Sequence, residues 1–288
     1  MKIRSTIVAI LLIWVMTAMA VPPLRVMSFN IRFNNPDDGD NAWPHRKEIA
    51  ASMIRFHNAD IVGCQEALIG QIHDFVTMLP DYSWFGVGRE DGKQGGEYAV
   101  ILYKTDRFQV TGDSTFWLSP TPTTPSKAWD AGYTRIVTLA KFHDKLTNTD
   151  FYVLNTHFDN VGEIARQESA KIITRTIAEM TGGLPVVLTG DFNCNPSSAP
   201  YQIIISDKAA GMQDSKTIAQ YPHHGPEGTW SGFTSAYYPD ENAPIDHIFV
   251  RGFKVIRHAT LSDCVNGKFP SDHMPVIAEL VPEATGQN

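Results

Sequence analysis

The sequence predicts an α/β domain built as a four-layer sandwich, with two packed mixed or antiparallel sheets and helices on the outer faces. Three observations lead there. Each half of the chain supplies strands, then helices, then more strands. The connections are short, which favours antiparallel neighbours. Acid, amide and imidazole groups gather at the edges of apolar stretches, as at strand ends where loops converge.

Taken in order, Leu24 to Phe33 alternates in polarity and reads as a strand that carries Asn30 near its end. Asn34 to Asn41 is a Gly/Asp/Asn/Pro loop. His45 to His57 has helical spacing, with Ile49, Met53 and Phe56 on one face. Asp60 to Gln65 is a short apolar strand that delivers Glu66 to its end. A helix through Ile69, Ile72, Phe75, Val76 and Leu79 stops at Pro80. Strands follow at Tyr82–Val87, Glu97–Tyr103, Phe108–Leu118, Thr134–His143 and Phe151–His157, and the Thr105-Asp106 turn suggests antiparallel pairing across it. Glu163 to Met180 is an amphipathic helix ended by Gly182-Gly183. Pro185–Leu188 is a buried strand, Pro200–Ser206 a helix, and Gly228–Phe233, Ile245–Val250, Phe253–Leu261 and Met274–Leu280 are the remaining strands.

The first residues have the pattern of a secretory signal peptide: Lys2 and Arg4, the apolar run Ile7 to Met16, then Ala18-Met19-Ala20. The run is too short for a membrane span. The expectation is a leader over 1–20 and a single domain over 21–288, exported to the periplasm or beyond and monomeric. Cys64 reads as a buried thiol, Cys194 and Cys264 could pair as a disulfide, and no zinc spacing is present. The net charge is −7, with no Lys/Arg run longer than a pair. A protein that grips long duplex DNA needs a basic stripe to neutralise phosphates, so an extended nucleic-acid grip is not expected.

Three polar runs carry the chemistry: Gly190-Asp191-Phe192-Asn193, Pro244-Ile245-Asp246-His247 and Ser271-Asp272-His273. Such groups are costly to bury beside apolar strands unless they are paired or bind a metal. They point to hydrolysis with a hard metal ion. Mg²⁺ takes oxygen ligands and needs only one or two carboxylates. Glu66 is the main candidate ligand, with Asn30 and Asp272 beside it; the alternative for Glu66 is the favourable first turn of the next helix. Asp191 and Asn193, two apart, would share a face and act on water and a phosphoryl oxygen; the alternative is an Asx turn. Asp246 could fix the tautomer of His273, and Glu97 that of His157. Arg135 suits a phosphate through its planar fork. Trp129, Trp230 and Phe233 could pack against a base, lipid or sugar, and Trp43, His45, Arg46 and Arg89 could form a rim; all of these also suit core or surface positions.

Together, Ser28-Phe29-Asn30, Gln65-Glu66, Glu97, Asn155-Thr156-His157, Gly190-Asp191-Phe192-Asn193, Ile245-Asp246-His247 and Ser271-Asp272-His273 resemble, in order, the endonuclease/exonuclease/phosphatase superfamily, whose members look like deoxyribonuclease I. The resemblance runs from Val21 to about Leu280. It implies a two-sheet sandwich and Mg²⁺- or Mn²⁺-dependent attack of water on a phosphoester. It makes Glu66 the chief metal ligand with Asn30 and Asp272 nearby, Asp191 and Asn193 the groups that position water and phosphate, Asp246 the partner of His273, and Glu97 the partner of His157. Arg32 stands where abasic-site endonucleases of that superfamily carry an Asp, and Cys194-Asn195 and His247 stand where its inositol-phosphate 5-phosphatases carry arginines. The expected activity is an exported phosphoesterase for a small mono- or diester. The alternatives are a secreted nuclease for DNA or RNA, and a catalytically silent module that binds carbohydrate or lipid.

Overall fold

The computed structural model describes residues 22–234 and 243–283, so the leader expected over 1–20 lies outside the described residues. No described helix is long and apolar enough to cross a membrane. Along the chain run β1 (Leu24–Asn30), α1 (Trp43–Phe56), β2 (Ile61–Ala67), α2 (Ile69–Met78), β3 (Tyr82–Phe85), β4 (Tyr98–Lys104) and β5 (Phe108–Trp117). They are followed by β6 (Ile136–Asp144), β7 (Thr149–His157), α3 (Glu163–Met180), β8 (Val186–Asp191) and α4 (Ala199–Ser206). Last come β9 (Gln213–Asp214), α5 (Ser215–Ile218), β10 (Asp246–Arg251), β11 (Phe253–Thr260) and β12 (Val276–Pro282).

Two six-stranded sheets result, ordered β11-β12-β1-β2-β4-β3 and β5-β6-β7-β8-β10-β9. Each contains one parallel pair, β1 with β2 and β7 with β8, among antiparallel neighbours. The period-2 alternation of β1 explains the layering. Val26 faces the second sheet, where it joins Phe142, Phe151, Val153, Ile248 and Val250 in the central core. Met27 and Phe29 face the other way, under Ala50, Ile54, Ile72 and Phe75 of α1 and α2. On the far side, Ile173 and Ile177 of α3 and Tyr201 and Ile204 of α4 cover Leu139, Leu154, Leu188 and Phe249. Three apolar interfaces between four layers make the predicted sandwich.

The structure corrects several expectations. Thr105-Asp106 does not join a hairpin, because β4 and β5 belong to different sheets. The chain crosses there, and buried Arg107 ties the crossing by donating to Asp60 at 2.8 Å and to Asp144 at 2.8 Å. The loop after β1 holds a 3-10 turn, Pro36–Asn41. Gly228–Phe233 is not a strand. Its one ladder contact is a bridge from Trp230 to His273, and Phe233 has φ +62°. Its backbone works as a clasp instead: Thr229 Oγ1 accepts from the Asp246 amide at 3.1 Å, and the Ser231 amide donates to the Asp272 carbonyl at 2.7 Å. Cys64, Cys194 and Cys264 are all free. Cys194 lies in the core under α4 while Cys264 is exposed, so the suggested disulfide does not form.

Candidate active site

Strand register brings the site together. In the second sheet His157 and Asp246 both lie opposite Asp191, at the ends of β7, β10 and β8. In the first sheet Asn30 pairs with Gln65 at the ends of β1 and β2. A register shift between Cys64 and Ala67 marks a bulge, and Glu66 within it has φ +59°. Bulges re-aim side chains beside active sites. This one turns the Glu66 carboxylate into the cleft.

A buried polar tie beneath the site locks the two sheets. Gln65 Nε2 donates to Asn155 Oδ1 at 2.6 Å, Thr189 Oγ1 donates to the same oxygen at 3.0 Å, and Asn155 Nδ2 donates to the Cys64 carbonyl at 2.8 Å. Gly63 leaves room for it, since a Cβ there would lie 2.1 Å from Thr189 Oγ1. Gln65 and Asn155, both within the resembling motifs, therefore hold the site in place from below. The Ser271–His273 segment is fixed as firmly. Ser271 Oγ donates to the Asn30 carbonyl at 2.7 Å, and buried Arg46 donates to Pro270 at 2.9 Å and Arg32 at 2.7 Å.

These elements enclose a cavity of ≈ 450 Å³ lined by Arg32, Phe33, Glu66, Arg89, Glu97, Tyr133, Arg135, His157, Asn160, Asp191, Asn193, Trp230, Ile245, Asp272 and His273. Asp246 Oδ2 lies 2.9 Å from His273 Nδ1. A carboxylate only accepts, so the ring proton sits on Nδ1 and Nε2 turns to Asp191, 3.7 Å away. The expected pair is present. Burial pushes the Asp191 carboxyl up to about 7, with Asp246 adding repulsion. Burial opposes charge on His273, but the carboxylates of Asp246 and Asp191 outweigh it and raise its pKa well above the usual range.

Asp191 and Asn193 meet through an Asx turn, not through a shared strand face: the Asn193 amide donates to Asp191 Oδ1 at 3.0 Å, and Asn193 has φ +46°. Asn193 Nδ2 donates to the Phe158 carbonyl at 3.0 Å and also lies 3.1 Å from His157 Nε2. That makes Nε2 an acceptor and puts the ring proton on Nδ1, a buried atom without a hydrogen-bond partner. Burial, helped by Arg135 and Arg89, holds the His157 pKa well below the usual range. Glu97 approaches His157 Nδ1 only to 4.0 Å, because Arg89 takes its carboxylate at 2.7 Å. The expected Glu97–His157 hydrogen bond is thus replaced by an Arg89–Glu97 ion pair.

Asn30 serves as a donor here. Its Nδ2 binds Glu66 at 3.1 Å and Asp191 at 2.9 Å, while its Oδ1 accepts the Arg32 amide at 3.0 Å. The oxygen donors for a hard cation are then the Glu66 and Asp272 carboxylates. Burial raises the Asp272 carboxyl and Glu66 adds repulsion, a strain that a cation between them relieves. Asp191, Asp246 and His273 also bring ligand atoms within 4.8 Å of one another. That group is read as a hydrogen-bonded pair beside a carboxylate, since His273 Nδ1 is already committed to Asp246.

Arg135 lines the cavity with Nη1 buried and unpartnered, while its Nε and Nη2 donate to Asp159 at 3.3 Å and Asn160 at 3.1 Å. Trp230 lines the cavity and is half-exposed, as a platform for a substrate would be. Trp129 does not line it; the next residue, Asp130, accepts the amides of Ile164 and Ala165 at the start of α3 and holds that segment outside. Tyr133 was not anticipated; the Arg89 and Arg135 guanidiniums lie 5.3 and 5.5 Å from its ring centre. Neither was Asp159. Despite its burial, the amides of Gly132, Gly162 and Tyr133 hold its carboxyl down to about 2. The run His157-Phe158-Asp159-Asn160, polar groups just past a strand, carried the signal.

Two mixed sheets with acid, amide and imidazole groups gathered at one rim define a fold of phosphoester hydrolases. The sequence profile of the endonuclease/exonuclease/phosphatase family matches residues 27–273, and the chain belongs to that family. It is similar to the structure of an endonuclease/exonuclease/phosphatase from Bacteroides vulgatus, 40% identical over 90% of this chain and 99% of that one, with a TM-score of 0.86. It is also similar to a mannosyl-6-phosphatase of Bacteroides thetaiotaomicron, 37% identical over 90% of this chain and 99% of that one, with a TM-score of 0.84. An uncharacterized protein of Acanthamoeba polyphaga mimivirus is 24% identical over 59% of this chain and 67% of its own length. The chain spans 26% to 43% of the length of the other curated relatives it matches.

Proposed function

We propose that this chain is an exported, divalent-metal-dependent phosphoesterase for a compact phosphoester, with a sugar phosphate monoester the favoured class. The observation that carries it is the convergence of Glu66 and Asp272 with Asp191, Asn193, His157 and His273, backed by Asp246, in one cavity. Its volume, ≈ 450 Å³, suits a small molecule. The similarity to a mannosyl-6-phosphatase supports a sugar phosphate. Export rests on the leader-like residues Lys2, Arg4 and Ile7 to Met16, before Ala18-Met19-Ala20.

Glu66 and Asp272 would hold Mg²⁺ or Mn²⁺, which when bound polarises a phosphoryl oxygen. The chain's own groups then divide the remaining work. His273, kept charged by Asp246 and Asp191, donates from Nε2 toward the phosphoryl oxygens, and the free Nη1 of Arg135 adds a second donor. Asn193 Nδ2 stays on the Phe158 carbonyl and His157 and fixes that ring. Asp191 orients the attacking water, held in register by Asn30 and the Asn193 amide. Asp246 holds the His273 ring by its Nδ1 so that Nε2 faces the reacting group. Trp230 and Tyr133 offer a pair of half-exposed aromatic faces to the organic group of the ester.

The test is hydrolysis of p-nitrophenyl phosphate, bis-p-nitrophenyl phosphate, hexose 6-phosphates and plasmid DNA, with EDTA and with Mg²⁺ or Mn²⁺ restored. Turnover of a small ester that EDTA abolishes and the metal restores is expected. Full activity after thorough chelation refutes the metal assignment. Rapid plasmid nicking without small-ester turnover makes the exported nuclease the better reading, and binding without any turnover favours the silent module.

A further inference from the structure

The two carboxylates that would hold the metal, Glu66 and Asp272, have a resident cation. Arg32 Nη1 lies 4.0 Å from Glu66 Oε2, and Arg32 Nε lies 3.9 Å from Asp272 Oδ2. Neither contact is a hydrogen bond, so the guanidinium stands beside the pair without capping either oxygen. It is held there from behind. Asp38 accepts from Nε and Nη2 at 3.0 Å each, the bidentate geometry that fixes a guanidinium in orientation. The backbone is fixed too. Arg32 has φ +54°, its amide donates to Asn30 Oδ1 at 3.0 Å, and its carbonyl accepts from Arg46 at 2.7 Å and Gln71 at 2.9 Å. A bulky residue adopts a positive φ only when its surroundings impose it.

We propose that Arg32 is a built-in limit on metal loading, so that the Glu66–Asp272 site takes one divalent ion, not two, and binds it loosely. The inference rests on the metal-dependent reading above and deepens it. Of the other acids of the cavity, Glu97 is ion-paired with Arg89 at 2.7 Å, and buried Asp191 accepts on both oxygens, from Asn30 at 2.9 Å and the Asn193 amide at 3.0 Å. Glu66 accepts more weakly, from Asn30 at 3.1 Å and the Phe33 amide at 3.2 Å. With Arg32 beside the remaining pair, a second ion lacks both free carboxylates and a place clear of positive charge. An ion bound to either oxygen, through a bond of about 2.1 Å, lies no more than about 6 Å from the guanidinium. At that range in water-like surroundings a unit positive charge weakens binding of a divalent ion about tenfold. An exchangeable ion is the consequence, and an enzyme sensitive to its metal supply.

The experiment is a titration of the metal-free full chain with Mn²⁺ alone, read by calorimetry and by electron paramagnetic resonance of free Mn²⁺, with no substrate. The wild type is expected to bind one equivalent, and Glu66→Gln to lose that binding. Arg32→Met, neutral and unable to ligate a hard ion, is expected to tighten Mn²⁺ about tenfold. Arg32→Lys keeps the charge and is expected to stay near the wild-type affinity. Circular dichroism melts confirm that each variant is folded; if Arg32→Met does not fold, Arg32→Ala, which also removes the charge and cannot ligate a hard ion, takes its place and is expected to tighten binding in the same direction. Two wild-type equivalents, or an affinity that ignores the charge at position 32, overturn the inference and leave the metal-dependent reading standing. No Mn²⁺ binding by any of the proteins overturns both.

Discussion

Asp246→Asn separates positioning from chemistry in this site. Asp246 is 2% exposed, Oδ2 lies 2.9 Å from His273 Nδ1, and Oδ1 is buried without a partner. The substitution keeps volume and shape but removes the charge that fixes and polarises the imidazole. A hydrogen bond to a charged group is worth about 1.5–3 kcal/mol. Since each 1.36 kcal/mol is tenfold in rate, kcat should fall about 10- to 150-fold. KM should hardly move, because Asp246 does not line the cavity. His273→Ala, which removes the imidazole, should cost about 10²–10⁴-fold. Asp246 acts through His273, so adding Asp246→Asn to His273→Ala should cost almost nothing more. The assay is steady-state turnover of p-nitrophenyl phosphate at saturating metal for all four proteins. An Asp246→Asn loss of the same size with and without His273, or wild-type turnover in either single variant, refutes the pairing as the source of the effect.

Gly63→Ala should destabilise the fold by about 3 kcal/mol, because the new methyl overpacks the Thr189–Asn155 contact beneath the site. A thermal melt should show Tm lower by about 6–12 °C, and an unchanged Tm would show that the polar tie yields easily. His258 is buried, which lowers its pKa to about 3, and its Nδ1 lies 2.9 Å from His223 Nδ1. The unfolded chain binds that proton below pH ~6.5 while the folded chain does not, so stability present above pH ~6.5 is lost as pH falls toward ~3. From pH 7 to 5 the advantage of the wild type over His258→Asn in urea melts should shrink by about 2 kcal/mol, and a gap that is constant with pH counts against the assignment. With a net charge of −7 the protein should show little salt-sensitive affinity for long duplex DNA, and a steep salt slope in a filter-binding titration would contradict this.

The layers and the cast of side chains can be read from local pattern alone. Period-2 alternation in Leu24–Asn30 sorts its side chains between two faces, both of them buried, and helical spacing in Glu163–Met180 records which face is buried; both are local properties of the pattern. The three polar runs were legible because an acid or imidazole beside an apolar strand is costly without a purpose. Asp246 and His273 could be matched, although 27 residues separate them, because one needs an acceptor and the other is one. What the pattern could not hold is anything set by contacts between distant segments. Thr105-Asp106 looks like a hairpin turn; only the pull of Asp60 and Asp144 on Arg107 shows it crossing between sheets. Gly228–Phe233 has a strand's composition, yet its donors and acceptors are taken by Asp246 and Asp272 in three dimensions. Glu97 lost its expected partner because Arg89 reaches it first, and Trp129 was held outside by Asp130's hydrogen bonds to α3. The aim of Glu66 came from a bulge, and the placing of Arg32 beside it from Asp38 and Arg46. Local preference chose the groups, but distances of 3 to 4 Å between charges decide their chemistry, and only tertiary packing sets those.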